Sequence, residues 1–331
     1  MPIPFLLAGA AIVAGGLGLA GAAVAKETMD EAKKVAEDGR YIVRTAEENR
    51  DKAREKTEQA INNLGKKKVN ILSKSVKTFV NNFSKIKNVN FHDSVGMDEL
   101  KDFTPESGSL GELKRASFSA AEIGGSMAAG LAGGGVAALG AYGAVGLLAT
   151  ASTGTAISAL SGVAATNATL AWLGGGSLAA GGLGVAGGMA VLGGVVLGPA
   201  LLIGSFVAYA KAEEALNKAK SFRAQAKQFE AECENVCSLC NAITERAEQI
   251  KNVLTKLDSM LIAGNKNLKE IISDAGTDWN KYSKRDKKIV AGVAMTAKTL
   301  KVILDTPLLY EDGALSQESE DILSLPAVQE L

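Results

Sequence analysis

Apolar residues recur along this chain at alternating steps of three and four. The longest such series runs Ala212, Ala215, Ala219, Phe222, Ala226, Phe229, Cys233 and Val236, and continues Cys240, Ile243, Ala247, Ile250, Leu254, Leu257 and Leu261. This is the heptad pattern of a helix packed lengthwise on another. Its seven heptads correspond to about 75 Å at roughly 1.5 Å per residue, and it predicts one helix from about Gly204 to Leu261, ended near Gly264. A second series, Ala32, Ala36, Gly39, Val43, Ala46, Arg50, Ala53, Thr57, Ala60 and Leu64, has the same steps with smaller side chains, and predicts close but weakly self-associating packing. A third, Val69, Leu72, Val76, Phe79, Phe83 and Ile86, is shorter and richer in large residues. Near the end, KRDKKIVAGVAMTAKTLKVILDTPLL reads as one more helix, with Ile289, Val293, Leu300 and Ile303 on one face and Pro307 beyond its end.

Elsewhere the periodicity gives way to a background without charge. Residues 1–25 carry no charged side chain, and none appears from 123 to 210, a run of 88 residues that holds 23 of the 37 glycines. Five segments follow: an apolar N-terminal helix (1–25), charged amphipathic helices (26–116), a glycine-rich apolar region (117–210), a long coiled-coil helix (211–264), and C-terminal helices with an acidic tail (265–331). The fold class expected is all-α, an elongated bundle of heptad-patterned helices with a glycine-rich apolar hairpin. The tail after Leu309 is expected to be a docking arm or disordered.

Residues 1–25 end in Ala-Val-Ala before Lys26, like a signal-peptide cleavage site, but lack a basic leading region. As a helix they would cover about 37 Å, against a bilayer core of roughly 30 Å. A retained membrane-associated helix, a buried helix and a cleaved signal all remain open.

GGLGVAGG (181–188) contains the G-x-G-x-x-G spacing of a dinucleotide-binding loop. That loop needs a strand before it and an acid about 20 residues after it. Here the preceding stretch is Ala/Ser/Gly-rich, and the first acid downstream, Glu213, belongs to the long helix. Gly130/Gly134, Gly184/Gly188 and Gly194/Gly198 instead form G-x-x-x-G pairs, which let helix backbones approach closely in lipid. These glycines are the expected helix-packing and insertion positions.

Charge is balanced, with 36 basic and 36 acidic residues, so no global field draws nucleic acid. No acid lies between Glu58 and Asp93, and Lys66, Lys67, Lys68, Lys74, Lys77, Lys85 and Lys87 flank the third apolar series. Two readings stand: a basic amphipathic face for anionic lipid, or a solvated face over a bundle core. Cys233, Cys237 and Cys240 have the C-x-x-x-C-x-x-C spacing of an iron–sulfur loop but lie in the coiled-coil register, which predicts packing and no cluster. With one histidine and no catalytic constellation, neither an enzyme nor a cofactor is expected.

The stretch TGTAISALSGVAATNATLAWLGGGSLAAGGLGVAGGMAVLGGVVLGPALLIGS, with MPIPFLLAGAAIVAGG at the start and LDTPLLYEDG late in the chain, resembles a family of bacterial glycine-rich, glycine-zipper-like helical proteins. The resemblance carries an architecture and no activity. In layout alone the chain is similar to α-helical pore-forming toxins and to apolipoprotein L. The expectation is therefore a membrane-associated helical protein that inserts a glycine-rich hairpin into a bilayer, as a pore-forming or membrane-disrupting effector. Its partners would be anionic lipid and a second copy or another helical protein, with no nucleic acid. Its place would be a bacterial inner membrane facing the cytoplasm, or an exchange between cytoplasm and membrane. The alternatives are an integral scaffold or signalling coiled coil, and a soluble bundle with a glycine-rich core.

Overall fold

The computed structural model describes residues 19–91, 100–101, 103–105, 107–128, 212–310 and 314–329. These are all-α. Helix α1 (Leu19–Asn70) passes through a π-helical stretch (Ile71–Val76) into α2 (Lys77–Phe83). Then follow α3 (Gly108–Ala128), α4 (Ala212–Ala275), α5 (Lys284–Asp305), α6 (Gln317–Leu323) and α7 (Pro326–Gln329). Among the described residues the only β-type pairings are two isolated bridges, Lys87 with Asp278 and Leu309 with Leu315. The N-terminal helix expected over 1–25 lies outside the described residues as far as residue 18. So do the helices expected across 129–211, together with Gly130, Gly134, Gly184, Gly188, Gly194, Gly198 and the GGLGVAGG stretch.

Two compact units divide the chain, and neither follows the linear segments. One comprises Met1–Arg54 with Gly194–Cys240, the other Glu55–Gly193 with Asn241–Leu331.

In the first unit α1 lies along α4. Ala32 and Ala36 pack with Ala215 and Ala219, while Val43 and Ala46 pack with Phe222, Ala226, Phe229 and Cys233. Residue numbers rise together on both helices, so the pair is parallel. Gly39 has a specific reason to lack a side chain, because a Cβ there would sit 2.7 Å from the Phe222 ring. The small-residue series thus works as a close-approach surface, and Phe222 fills the space Gly39 leaves.

The second unit carries the large core. Leu64, Leu72, Val76, Phe79 and Phe83 are fully buried, and Phe103 stacks on Phe79 and Phe83 at centroid distances of 6.3 and 6.4 Å. Helix α3 packs against the π-helical stretch and α2. The apolar series steps by five between Leu64 and Val69, and the π-helical stretch begins two residues later, at Ile71. Here too α1 and α4 are parallel, since Thr57 meets Thr244 at 3.0 Å and Lys67 meets Asp258 at 2.8 Å.

Helix α4 does not stop near Gly264. It runs on to Ala275, and Gly264 takes the next seam position, followed by the buried Leu268 and Ile271. A Cβ on Gly264 would lie 2.7 Å from Val293 Cγ2, so this glycine admits α5. The actual terminator is Gly276, whose φ of 78° is the left-handed conformation of a helix end. Helix α5 then begins with a full capping box, Ser283 and Asp286 bonding each other's backbone N–H. Beyond it, residues 314–329 are docked rather than loose. Leu308, Leu309, Ile322 and Val328 are buried, Ser316 caps α6, and Arg246 holds Ser319 Oγ at 3.1 Å.

Candidate functional site

The chemically richest place among the described residues is a polar centre built around the π turn. Asp258, two turns before Gly264 on α4, receives Ser75 Oγ on one carboxylate oxygen at 2.5 Å and Lys67 Nζ on the other at 2.8 Å. Asn265, two turns further along α4, donates from Nδ2 to the Ser75 carbonyl at 2.9 Å. Ser75, Asp258 and Asn265 are each 6% exposed. Donation to that carbonyl fixes the Asn265 amide orientation, and its Oδ1 is buried with no hydrogen-bond partner among the described residues. Such a group costs on the order of 1–3 kcal/mol.

Next to this centre lies Lys68, which is fully buried. Its Nζ donates to the carbonyls of Leu304 at 3.5 Å and Thr306 at 3.4 Å, at the C-terminus of α5. Burial pushes its pKa from 10.5 down to about 7, and the nearby Asp305 pulls the other way. Asp305 is itself held by Lys301 at 2.6 Å, and Lys301 also reaches Glu112 of α3 at 3.1 Å.

Chemically, the Ser75 hydroxyl is committed to Asp258, whose charge Lys67 balances. No substrate reaches a serine at 6% exposure unless the helices part. The hydrogen bonds instead set the register of the parallel helices. Thr57 to Thr244, Lys67 and Ser75 to Asp258, and Asn265 to Ser75 satisfy one another at a single axial alignment. Buried polar residues in coiled coils fix register in this way.

The lysines grouped in the sequence do not share one face. Lys66 and Lys74 are exposed and Lys77 is half-buried, its Nζ 5.1 Å from the Phe118 ring centroid. Lys67 is drawn into the polar centre, and Lys68 is interior. Of the lysines in this series, Lys66, Lys74, Lys85 and Lys87 are exposed, while Lys67, Lys68 and Lys77 make contacts within the fold. Lys68 is interior because it takes the seam position four residues past Leu64. The apolar series from Val69 to Ile86 is covered by protein, with every member at 2% exposure or less. Lys68 was expected on a basic outer face and not in the interior, and Ser75, Asp258 and Asn265 were not singled out in the sequence.

Cys233 and Cys240 are buried and Cys237 is half-buried. Burial raises the thiol pKa of Cys233 and Cys237, so both are held as neutral thiols at pH 7. Among the described residues no His, Cys, Asp or Glu cluster has the arrangement of a metal site, and no helix is long and apolar enough to cross a membrane. No family model, no curated protein and no solved structure matches this chain.

Proposed function

We propose that this is a membrane-associating helical protein in which the uncharged stretch between Glu122 and Lys211 enters a bilayer. The single observation that carries the reading is the 88-residue absence of Asp, Glu, Lys and Arg, with 23 glycines inside it. Charge is what most opposes burial in hydrocarbon. Glycine costs up to about 1 kcal/mol in a water-exposed helix interior but aids close helix contact in lipid. At about 20 residues per span, the run has length for up to about four crossings. Its ends join α3 and α4, whose charged faces suit water. Assembly through Gly130/Gly134, Gly184/Gly188 and Gly194/Gly198 would permeabilise the membrane. The protein would then reside at a bacterial inner membrane, or exchange between it and the cytoplasm, with anionic lipid and further copies of itself as partners.

The test is dye release from liposomes, with bound protein quantified alongside. Wild type is expected to release dye. Gly184→Leu with Gly188→Leu should bind equally but release little, and Gly→Ala at both positions should be mild. Release by the Leu pair equal to wild type would remove the glycines as an assembly surface. Membrane binding without release would leave an integral scaffold, and absence from membranes would leave a soluble bundle.

A further inference from the structure

One end of the second unit gathers basic side chains from two segments far apart in sequence. The chain leaving α2 meets the α4–α5 connection: Lys87 N–H donates to Thr277 O at 2.7 Å and Trp279 N–H to Lys87 O at 3.1 Å. Asn88, at φ 59°, turns its side chain to Asp278 Oδ1 at 3.2 Å, and Phe91 packs edge-on to Trp279 with centroids 5.2 Å apart. This joint brings Lys85 and Lys87 beside Lys281, Lys284, Arg285 and Lys288, all exposed. Lys287 joins them, its ammonium 5.4 Å from the Trp279 ring centroid.

Among the described residues none of these cations has an ion-pair partner. Asp278 accepts from Asn88 and from the Asn280 backbone, Asp286 closes the capping box, and Asp274 is a further acid near the joint among the described residues. Lys284, Arg285, Lys287 and Lys288 also occupy the first five positions of α5, where the helix dipole favours acids. Among the described residues, neither ion pairing nor the helix dipole therefore explains them.

We infer that this basic end is a docking surface for a bilayer rich in anionic headgroups. The choice of partner follows from the side chains. Six of the seven cations are lysines, point charges suited to a diffuse negative surface, whereas planar bidentate recognition of individual phosphates favours arginine. Trp279 is 2% exposed and offers no face for stacking a nucleic-acid base. The inference rests on the membrane reading above and names the surface by which the folded unit would meet the bilayer. It keeps Lys85 and Lys87 of the basic series read in the sequence and adds cations from the α4–α5 connection and the start of α5.

The experiment uses the full chain and co-sedimentation with vesicles of phosphatidylcholine alone or mixed with phosphatidylglycerol. The variant Lys281→Gln, Lys284→Gln, Arg285→Gln, Lys288→Gln spares Lys287 and the capping box. Wild type should prefer the anionic vesicles, with binding that weakens as salt rises. The variant should lose about tenfold or more of that binding and most of its salt dependence. Its thermal midpoint should be unchanged or higher, since cations leave a helix N-terminus, and a binding loss caused by misfolding would lower it. Equal binding by variant and wild type, with equal salt dependence, overturns this surface and leaves membrane insertion standing. Failure of wild type to bind either vesicle overturns both. Binding of duplex DNA with no vesicle binding, lost in the variant, overturns the choice of lipid.

Discussion

The two units use the same pair of parallel helices to build different cores. In the first, α1 and α4 meet through Ala32, Ala36, Ala215 and Ala219, and among the described residues Phe222 and Phe229 are the rings in the seam. In the second, the same helices and the π-helical stretch bury Leu64, Leu72, Val76, Leu254, Leu257 and Leu261, and α2, α3 and α5 supply further layers. Each methylene removed from water contributes about 0.8 kcal/mol, so an alanine seam stabilises far less per turn than a leucine seam. The polar groups differ as well. In the first unit the cross-helix ion pair, Arg223 to Asp38, is solvent-exposed at 3.6 Å. Exposed pairs of this kind are typically worth under about 1 kcal/mol. In the second, Asp258, Asn265 and Lys68 are interior. A thin seam of small residues allows close approach with little cohesion, and a thick core can hold polar groups that fix alignment.

The largest effect expected from this contrast comes from Phe83→Ala, which should cost about 3–5 kcal/mol in urea unfolding, against roughly half of that for Phe229→Ala. Amide exchange should show the corresponding order, with α4 amides before Cys240 exchanging faster than those between Ile243 and Ile271. Equal protection along α4 would erase the distinction between the units.

Lys68 gives the next largest effect and one that changes with pH. Its folded pKa of about 7 lies below its usual 10.5. Below pH 7 both folded and unfolded chains hold the proton, and the folded chain carries the full cost of a buried charge. Between pH 7 and 10.5 the unfolded chain binds the proton and the folded chain does not. Stability therefore rises with pH across that window, by up to about 1.4 kcal/mol per unit. Lys68→Met should flatten the rise and stabilise the protein at pH 6.5 by about 1–4 kcal/mol. A wild type whose urea midpoint is constant from pH 6.5 to 9.5 would show that the ammonium is better solvated than its burial indicates.

Smaller still are the close-approach glycines. Gly264→Ala should cost about 1–3 kcal/mol, because Val293 sits in a layered core with little room to move. Gly39→Ala meets the Phe222 ring at the same 2.7 Å, but in a two-helix seam free to widen, and should cost less. The reverse order would mean that the alanine seam is the stiffer one. The least energetic test concerns reactivity: iodoacetamide should label Cys237 before Cys233 and Cys240, and equal rates would mean that the first unit opens faster than the reagent reacts.

Much of the helical framework is legible in the residues alone. A three-four alternation needs no tertiary information, since helix geometry puts those positions on one side. Ala32 to Leu64 and Ala215 to Leu261 therefore mark the faces that meet, and Cys233 and Cys240 take core places while Cys237 falls at the edge.

Three features depended on what each residue meets in space. Gly264 and Gly276 are alike in sequence, but Val293 lies against the first and keeps it helical, while the second turns to positive φ. Lys68 has the composition of a surface residue, yet it takes the seam position four residues past Leu64 and lies inside against the end of α5. The basic end exists only because Lys87 and Asp278, remote in the chain, pair at one joint. Periodicity reports the face a residue occupies on its own helix. Which element covers that face, and which remote charges become neighbours, is decided by contacts between segments far apart in the chain, and a local pattern holds no record of those.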